Sequence, residues 1–194
     1  MKNKFLNITD EELARMIVDE NNIEAFNEIY KRYHKKISDK CLSMVKSKSI
    51  SNDLTHDVMI KIYENLPKFK HGSTLSTWIY SITYNLCIEY LRKNQRIKYE
   101  EWANDIDLPV DMDNQEFEEL ISLQKNRMKV LLEMINPEDK ALLLMKYKDE
   151  MPLKKMMEVL KIKGESALKM RLNRAKKRVM ALYNEYFLTR GAFR

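Results

Sequence analysis

The chain has 194 residues and a formal net charge of +6, a length that accommodates one ordinary domain or two small ones. Hydrophobic residues make up 44% of the sequence and charged residues 33%, which favours a packed core over extended disorder. Only 3 glycines and 4 prolines are present, so the composition predicts an all-α fold. No glycine-rich motif for phosphates or dinucleotides occurs.

Other classes of protein are also disfavoured by the composition. The two cysteines, Cys41 and Cys87, have no CxxC spacing, so neither a disulfide framework nor a metal site is expected. The apolar runs are far shorter than the roughly 20 residues that span a bilayer, and the first residues lack the apolar stretch of a signal peptide. We therefore expect a cytoplasmic protein with no cofactor and no membrane contact of its own.

The charge is unevenly distributed along the chain. Residues 1–97 carry a net charge of +4, residues 98–119 a net charge of −8, and residues 120–194 a net charge of +10. The acidic stretch repels itself and lacks sustained apolar periodicity. The sequence therefore predicts two small helical domains, an N-terminal bundle and a C-terminal helical domain, joined by an acidic linker. The predicted boundaries are 1–97, 98–122 and 123–194.

Apolar residues at helical spacing predict four helices in the N-terminal domain. The first follows a capping box formed by Thr9 and Glu12. The third is predicted to be capped within the polar run 51–53 and to stop at Pro67. Its predicted apolar series is Leu54, Val58, Ile62 and Leu66. The second and fourth helices are predicted at 23–47 and at about 75–93.

The fourth predicted helix is apolar on most sides, which is typical of a helix in the middle of a bundle. Tyr80 and Tyr84 are harder to place inside and are candidates for stacking on an exposed base. A narrow polar strip is predicted at Thr77, Ser81, Asn85 and Arg92. Basic residues before and after this helix are candidates for holding phosphates, and they include Lys70, His71, Arg92 and Arg96.

The C-terminal domain is predicted to contain a helix-turn-helix. Helices are expected to begin at Asn136-Pro137, at Met151-Pro152 and near Glu165, with a tight turn before the last. The last helix has the apolar series Leu168, Leu172, Ala175, Val179 and Leu182, spaced by four and three. Its segment 166–184 has six basic residues and no acidic one.

A helix of this kind fits the major groove of DNA, where outward residues near its start reach base edges and basic residues meet phosphates. The alternative is a basic helix that only covers a core and faces solvent. The candidate DNA-binding residues are Ser166, Lys169, Met170, Arg171, Asn173, Arg174, Lys177 and Arg178.

Four motifs in the same order resemble those of the bacterial extracytoplasmic-function (ECF) sigma factors, a group within the sigma-70 family. The resemblance spans roughly residues 10–188. Its motifs are EAFNEIYKRY (24–33), DLTHDVM (53–59), LSTWIYSI (75–82) with Asn85 and Leu91-Arg92, and RLNRAKKR (171–178).

The resemblance implies a transcription-initiation factor that binds core RNA polymerase, on its β′ clamp helices and β subunit, with promoter DNA as its second partner. The C-terminal domain would recognise the −35 element of double-stranded DNA. The N-terminal domain would recognise and melt the −10 element through residues 70, 71, 77, 80, 84, 92 and 96. The linker would run through polymerase channels, and an anti-sigma factor is a possible further partner. The implied polymerase-binding residues are Asp53, Leu54, His56, Asp57 and Lys61.

Two other functions are weighed against this one. A stand-alone helix-turn-helix regulator would share the C-terminal domain but would have no polymerase-binding surface. An enzyme is disfavoured because His34, His56 and His71 are scattered and no nucleophile stands beside a base. No catalytic residue is therefore predicted.

Overall fold

A computed structural model describes residues 4–70, 72–94 and 114–189, and within those ranges the regular structure is helical throughout. The all-α prediction is confirmed. The chain divides into two compact units, the first holding α1 to α4 as far as Leu91 and the second holding α5 to α7, the start of α8, and α9. The helices are α1 (Asp10–Glu20), α2 (Ile23–Val45), α3 (Lys48–Asn65), α4 (Leu75–Asn94), α5 (Asn114–Leu123), α6 (Lys125–Leu131), α7 (Pro137–Leu143), α8 (Leu153–Leu160) and α9 (Glu165–Tyr183).

The predicted linker, 98–122, lies mostly outside the described residues. Helix α5 begins at Asn114, inside the range that the sequence assigns to the linker. The domain boundaries themselves stay predictions.

The predicted capping box at the start of α1 is confirmed. The backbone N–H of Thr9 donates to Oε2 of Glu12 at 2.8 Å, and the N–H of Glu12 donates to Oγ1 of Thr9 at 3.2 Å. These are the reciprocal bonds that satisfy two unpaired donors at a helix start. The N–H and hydroxyl of Thr9 favour the charged carboxylate and lower the pKa of Glu12.

The predicted start of α3 within 51–53 is wrong. Helix α3 begins at Lys48, and the Oγ of Ser47 accepts from the N–H of Ile50 at 3.5 Å. Ser51 lies inside the helix, where its buried hydroxyl donates to the carbonyl of Ser38 on α2 at 3.1 Å. Helix α2 also ends earlier than predicted, at Val45, because Lys46 takes a left-handed backbone conformation with φ of 58°.

Helices α2 and α3 form an antiparallel pair. Ser51 contacts Ser38 near one end of the pair, and the rings of Phe26 and Tyr63 pack edge to face at 4.9 Å near the other. The predicted apolar series of α3 is buried in this pair, with Leu54, Val58 and Ile62 at most 5% exposed.

Arg32 of α2 anchors the segment that precedes α1. Its guanidinium donates to Asp10 at 2.8 Å, to Glu28 at 3.0 Å and to the carbonyls of Phe5 and Ile8 at 2.7 and 2.9 Å. Burial alone would lower the pKa of Arg32, but the hydrogen bonds to Asp10 and Glu28 outweigh it and raise that pKa. The guanidinium therefore joins three parts of the first unit through one set of planar donors.

Helix α1 in turn fixes the start of α4. Oε1 of Glu11 accepts from the backbone N–H of Leu75 at 3.0 Å, and Oγ1 of Thr74 accepts from the N–H of Thr77 at 3.3 Å. Two otherwise unpaired N–H groups at the α4 terminus are thereby satisfied.

The second unit is organised by the start of α7 and the buried stripe of α9. Oδ1 of Asn136 accepts from the N–H of Asp139 at 2.8 Å, which confirms the predicted helix start. The predicted apolar series of α9 is buried throughout, and its members from Ala175 onwards pack with residues of α5 and α6 in one core. The core includes Phe117, Met128, Leu131, Ile135, Ala175, Val179 and Leu182.

We predict that Arg32→Ala lowers the free energy of unfolding by about 2–3 kcal/mol, because it leaves several partners of a charged donor unsatisfied. Lys35→Ala is the matched control, since Lys35 forms an exposed pair with Asp39 on the same helix, and it should change stability by about 0.5 kcal/mol or less. Urea unfolding followed by circular dichroism measures both. Equal effects for the two variants would contradict the anchoring role.

Candidate functional site

Four of the predicted polymerase-binding residues lie on the outer face of α3. Asp53, His56, Asp57 and Lys61 are all exposed, and their spacing of three and four places them on one side of the helix. Leu54 does not share this face. Its side chain is 5% exposed because it belongs to the apolar series that packs against the rest of the bundle. The prediction that Leu54 lies on the polymerase-binding surface is therefore wrong.

The sequence interpretation missed apolar residues beside these polar ones. Ile60 and Tyr63 of α3 are each 42% exposed. Ile60 falls outside the buried apolar series of α3. An isoleucine that does not follow the spacing of this series was the sequence signal that could have identified the surface. We name Asp53, His56, Asp57, Ile60 and Lys61 the docking face.

Two residues predicted to contact the −10 DNA are buried. Thr77 is 3% exposed and Tyr84 is 1% exposed, so the expectation that Tyr84 lies outside the bundle is wrong. The hydroxyl of Thr77 lies 2.9 Å from that of Thr74, which lets a polar side chain be buried at little cost. The prediction of an exposed polar strip on α4 is also wrong at Ser81, because the Ser81 side chain is buried, with 8% of its surface exposed.

Other residues of the predicted −10 surface remain accessible. Tyr80 is half-buried, and Nζ of Lys40 on α2 lies 4.7 Å from the centre of its ring. Lys70 and Arg92 are exposed. The two further predicted residues, His71 and Arg96, lie outside the described residues.

The outer side of α9 presents most of its predicted DNA-binding residues to solvent. Lys169 pairs with Glu165 at 2.7 Å, but both side chains are mostly exposed. The pair therefore contributes little to stability, and Lys169 can exchange Glu165 for another partner. Met170 is 55% exposed. The exposed members of the predicted set are Ser166, Lys169, Met170, Arg171, Asn173 and Arg174.

The last two predicted residues of α9 are placed differently. Arg178 forms an ion pair with Asp139 of α7, whose side chain is 8% exposed. Lys177 is half-buried. The prediction that Arg178 contacts DNA is therefore wrong. Arg178 instead joins α9 to α7, because a buried carboxylate requires a nearby positive charge.

None of the helices in the described ranges has the length and apolar character needed to cross a membrane. Within the same ranges, no cluster of three or more histidine, cysteine or acidic residues could hold a metal ion.

We predict that Arg178→Ala lowers the free energy of unfolding by about 2–3 kcal/mol, because it leaves the Asp139 carboxylate without its cation. Arg174→Ala removes the same side chain from the exposed side of the helix and should cost about 0.5 kcal/mol or less. Thermal and urea unfolding compare the two variants. A neutral Arg178→Ala would contradict the structural assignment.

The sequence is similar to one family model and to several known proteins. The Sigma-70 region 2 family matches residues 29–97. The ECF RNA polymerase sigma factor SigX of Bacillus subtilis is 32% identical over 75 residues, which are 39% of this chain and 39% of SigX. SigW of the same organism is 32% identical over 72 residues, so the aligned segments span about two fifths of these two relatives.

Two comparisons extend over most of the chain. SigM, an ECF RNA polymerase sigma factor of Bacillus subtilis, is 24% identical over 165 residues, covering 81% of this chain and 94% of SigM. The solved structure of CnrH in complex with the cytosolic domain of CnrY aligns with a TM-score of 0.63 and 16% identity, over 91% of this chain and 98% of that one. At that identity the structural match shows the fold alone.

Proposed function

The chain belongs to the ECF group of the sigma-70 family, and on that premise we propose that it carries core RNA polymerase to promoters by binding polymerase through α3 and DNA through α4 and α9. Initiation then occurs where the −35 and −10 elements are both engaged. Catalysis stays with the polymerase.

The orientation of α3 is the observation that carries this proposal. Inside the segment that matches Sigma-70 region 2, α3 buries Leu54, Val58 and Ile62 and leaves Asp53 and Asp57 exposed. The fold thus keeps two carboxylates on the side of the helix that its own core does not use.

The docking face has the composition of a protein–protein interface. Ile60 supplies apolar area between the acidic residues and Lys61, and Tyr63 adds an aromatic ring at the border. Interfaces commonly combine an apolar or aromatic centre with a polar rim. Asp53 and Asp57 would pair with basic residues of the β′ clamp helices. Such pairs would speed the association of the two proteins and fix their relative orientation.

We predict that the double variant Asp53→Ala with Asp57→Ala weakens binding to core polymerase about 10- to 100-fold, because two charge pairs lose their acidic members. The control is Asp19→Ala with Glu20→Ala, which makes the same change in net charge on exposed positions of α1. Fluorescence anisotropy of labelled chain titrated with core enzyme gives both affinities. Equal losses in the two variants would show a general charge effect and contradict the assignment.

The exposed side of α9 would read the −35 element. Asn173 and Arg174 carry donors and acceptors suited to adenine and guanine edges, and Lys169 and Arg171 flank them with positive charge for phosphates. The buried stripe on the opposite side holds the helix against its domain, so these side chains project from a fixed support.

We predict that Asn173→Ala or Arg174→Ala relaxes base preference at individual −35 positions by about 1–3 kcal/mol each, if each side chain makes a bidentate contact. The control is Lys154→Ala on α8, an exposed basic position outside the proposed reading surface. Binding to a library of −35 sequences at several salt concentrations measures the effect. A uniform loss over all sequences, with a shallower salt dependence, would reassign the residue to phosphate contact.

The N-terminal domain would open the −10 element with a smaller set of residues than the sequence predicts. Lys70 is exposed and would bind a phosphate, and Arg92 would do so by exchanging its ion-pair partner Glu138. Tyr80 would stack on an unpaired base. Unstacking a base costs a few kcal/mol, which such contacts have to offset. The acidic linker would connect the two DNA-binding domains and raise the effective concentration of one element once the other is bound.

A protein partner would regulate this factor by covering its surfaces. CnrH, which shares the fold, was solved in complex with the cytosolic domain of CnrY. We propose that this chain also has an anti-sigma partner, and that such a partner would compete with polymerase for the docking face.

Run-off transcription tests the function as a whole. Purified chain and bacterial core polymerase are combined with promoter fragments selected from a genomic library, and transcripts of defined length are expected only when both proteins are present. DNA binding without initiation from any selected fragment would favour the stand-alone regulator and contradict the proposal.

A further inference from the structure

Two cysteines that are far apart in the sequence meet in the core of the first unit. The Sγ atoms of Cys41 on α2 and Cys87 on α4 lie 3.7 Å apart across 46 positions of sequence. Both side chains are 0% exposed, and both cysteines are reduced. Neither cysteine belongs to the docking face or to the predicted DNA-binding residues, so the proposed function makes no use of the pair.

The surroundings of the pair favour reaction at Cys41. The thiol of Cys87 donates a hydrogen bond to Cys41 and lowers its pKa, burial opposes this effect, and the hydroxyl of Thr55 on α3 lowers it further. A thiolate is the reactive form of cysteine in oxidation and in disulfide exchange. The hydrogen bond also holds the second sulfur where it can attack the first.

Closing a disulfide would require little movement. A disulfide has an S–S length of about 2.05 Å, so the sulfur atoms would have to approach by roughly 1.6 Å. Rotation of cysteine side chains supplies displacements of this size. Small oxidants would reach the pair during local opening of the bundle, which is available to native proteins below the cost of global unfolding.

We propose that Cys41 and Cys87 form an oxidation-sensitive pair that closes to an intramolecular disulfide between α2 and α4 when the protein meets a peroxide. In compartments that keep thiols reduced, disulfides of this kind are usually transient and redox-sensing. The proposal goes beyond transcription initiation and does not depend on it.

The chemistry balances with hydrogen peroxide as the oxidant. The Cys41 thiolate attacks one peroxide oxygen and breaks the O–O bond, giving a sulfenic acid and hydroxide. Cys87 then attacks the sulfenic sulfur, the S–O bond breaks, and the disulfide forms. The two thiol protons combine with the two hydroxide groups of the cleaved peroxide to give two molecules of water, and the sulfurs together give up two electrons to the peroxide.

The disulfide would stabilise the first unit. It closes a loop that contains all of α3, and a cross-link of that length removes conformational freedom mainly from the unfolded chain. We therefore expect a higher unfolding temperature for the oxidised chain than for the reduced chain, and reversal of the shift by dithiothreitol.

The test treats the full chain with hydrogen peroxide under native conditions and maps the products by non-reducing peptide mass spectrometry. The expected product is monomeric, has lost two hydrogen atoms, and yields a peptide pair joined through Cys41 and Cys87. Absence of oxidation, conversion to sulfinic or sulfonic acid, or disulfides only between chains would overturn the proposal.

Single variants provide the matched controls. Cys41→Ala and Cys87→Ala each remove one sulfur, so neither should gain thermal stability on oxidation. The mass measurement on the unmodified chain stands without them, which keeps the test valid if a variant folds poorly. A cross-linked chain whose unfolding temperature is unchanged or lower than that of the reduced chain would refute the stabilising role.

Discussion

The packing of α3 against α2 is the constraint on which the first unit depends. The contacts between Phe26 and Tyr63 and between Ser38 and Ser51 fix the register of the antiparallel pair. That register turns the apolar series of α3 inward, and it leaves the docking face on the other side. A helix that buries one side in its own bundle can present the other to a larger partner without rearrangement, so binding need not include the cost of ordering that helix.

The second unit uses a polar contact for a similar purpose. Asn136 caps α7, and Asp139 in the first turn of α7 receives both the Asn136 amide and the Arg178 guanidinium. Arg178 thereby connects α9 to α7. This bond and the buried apolar stripe hold α9 in place, which would give the proposed DNA-reading residues Asn173 and Arg174 a rigid support.

The sequence predicted those features that periodicity and caps determine. The buried series of α3 and α9, the capping box at Thr9 and the start of α7 at Asn136 all depend on local spacing, and the structure confirms them. Fold class followed from the composition, and the family resemblance followed from the order of the motifs.

The features that the sequence did not predict depend on contacts between distant elements. Ser51 was interpreted as a cap, but it is buried because a carbonyl of α2 accepts its hydroxyl. Arg178 was predicted to contact DNA, but the fold of the second unit places Asp139 of α7 beside it. Cys41 and Cys87 are close together because α2 packs on α4. In each case the deciding partner lies more than ten positions away, where helical spacing carries no information.

The central claim is that the docking face contacts polymerase, and site-specific photocrosslinking tests it most directly. A photoreactive phenylalanine analogue replaces Asp57, and separately Asp19 on α1, in otherwise unchanged chain mixed with core enzyme. The account predicts a cross-link to the β′ subunit from position 57 and none from position 19. Efficient cross-linking from position 19 alone, or from neither position under conditions where the complex forms, would contradict it.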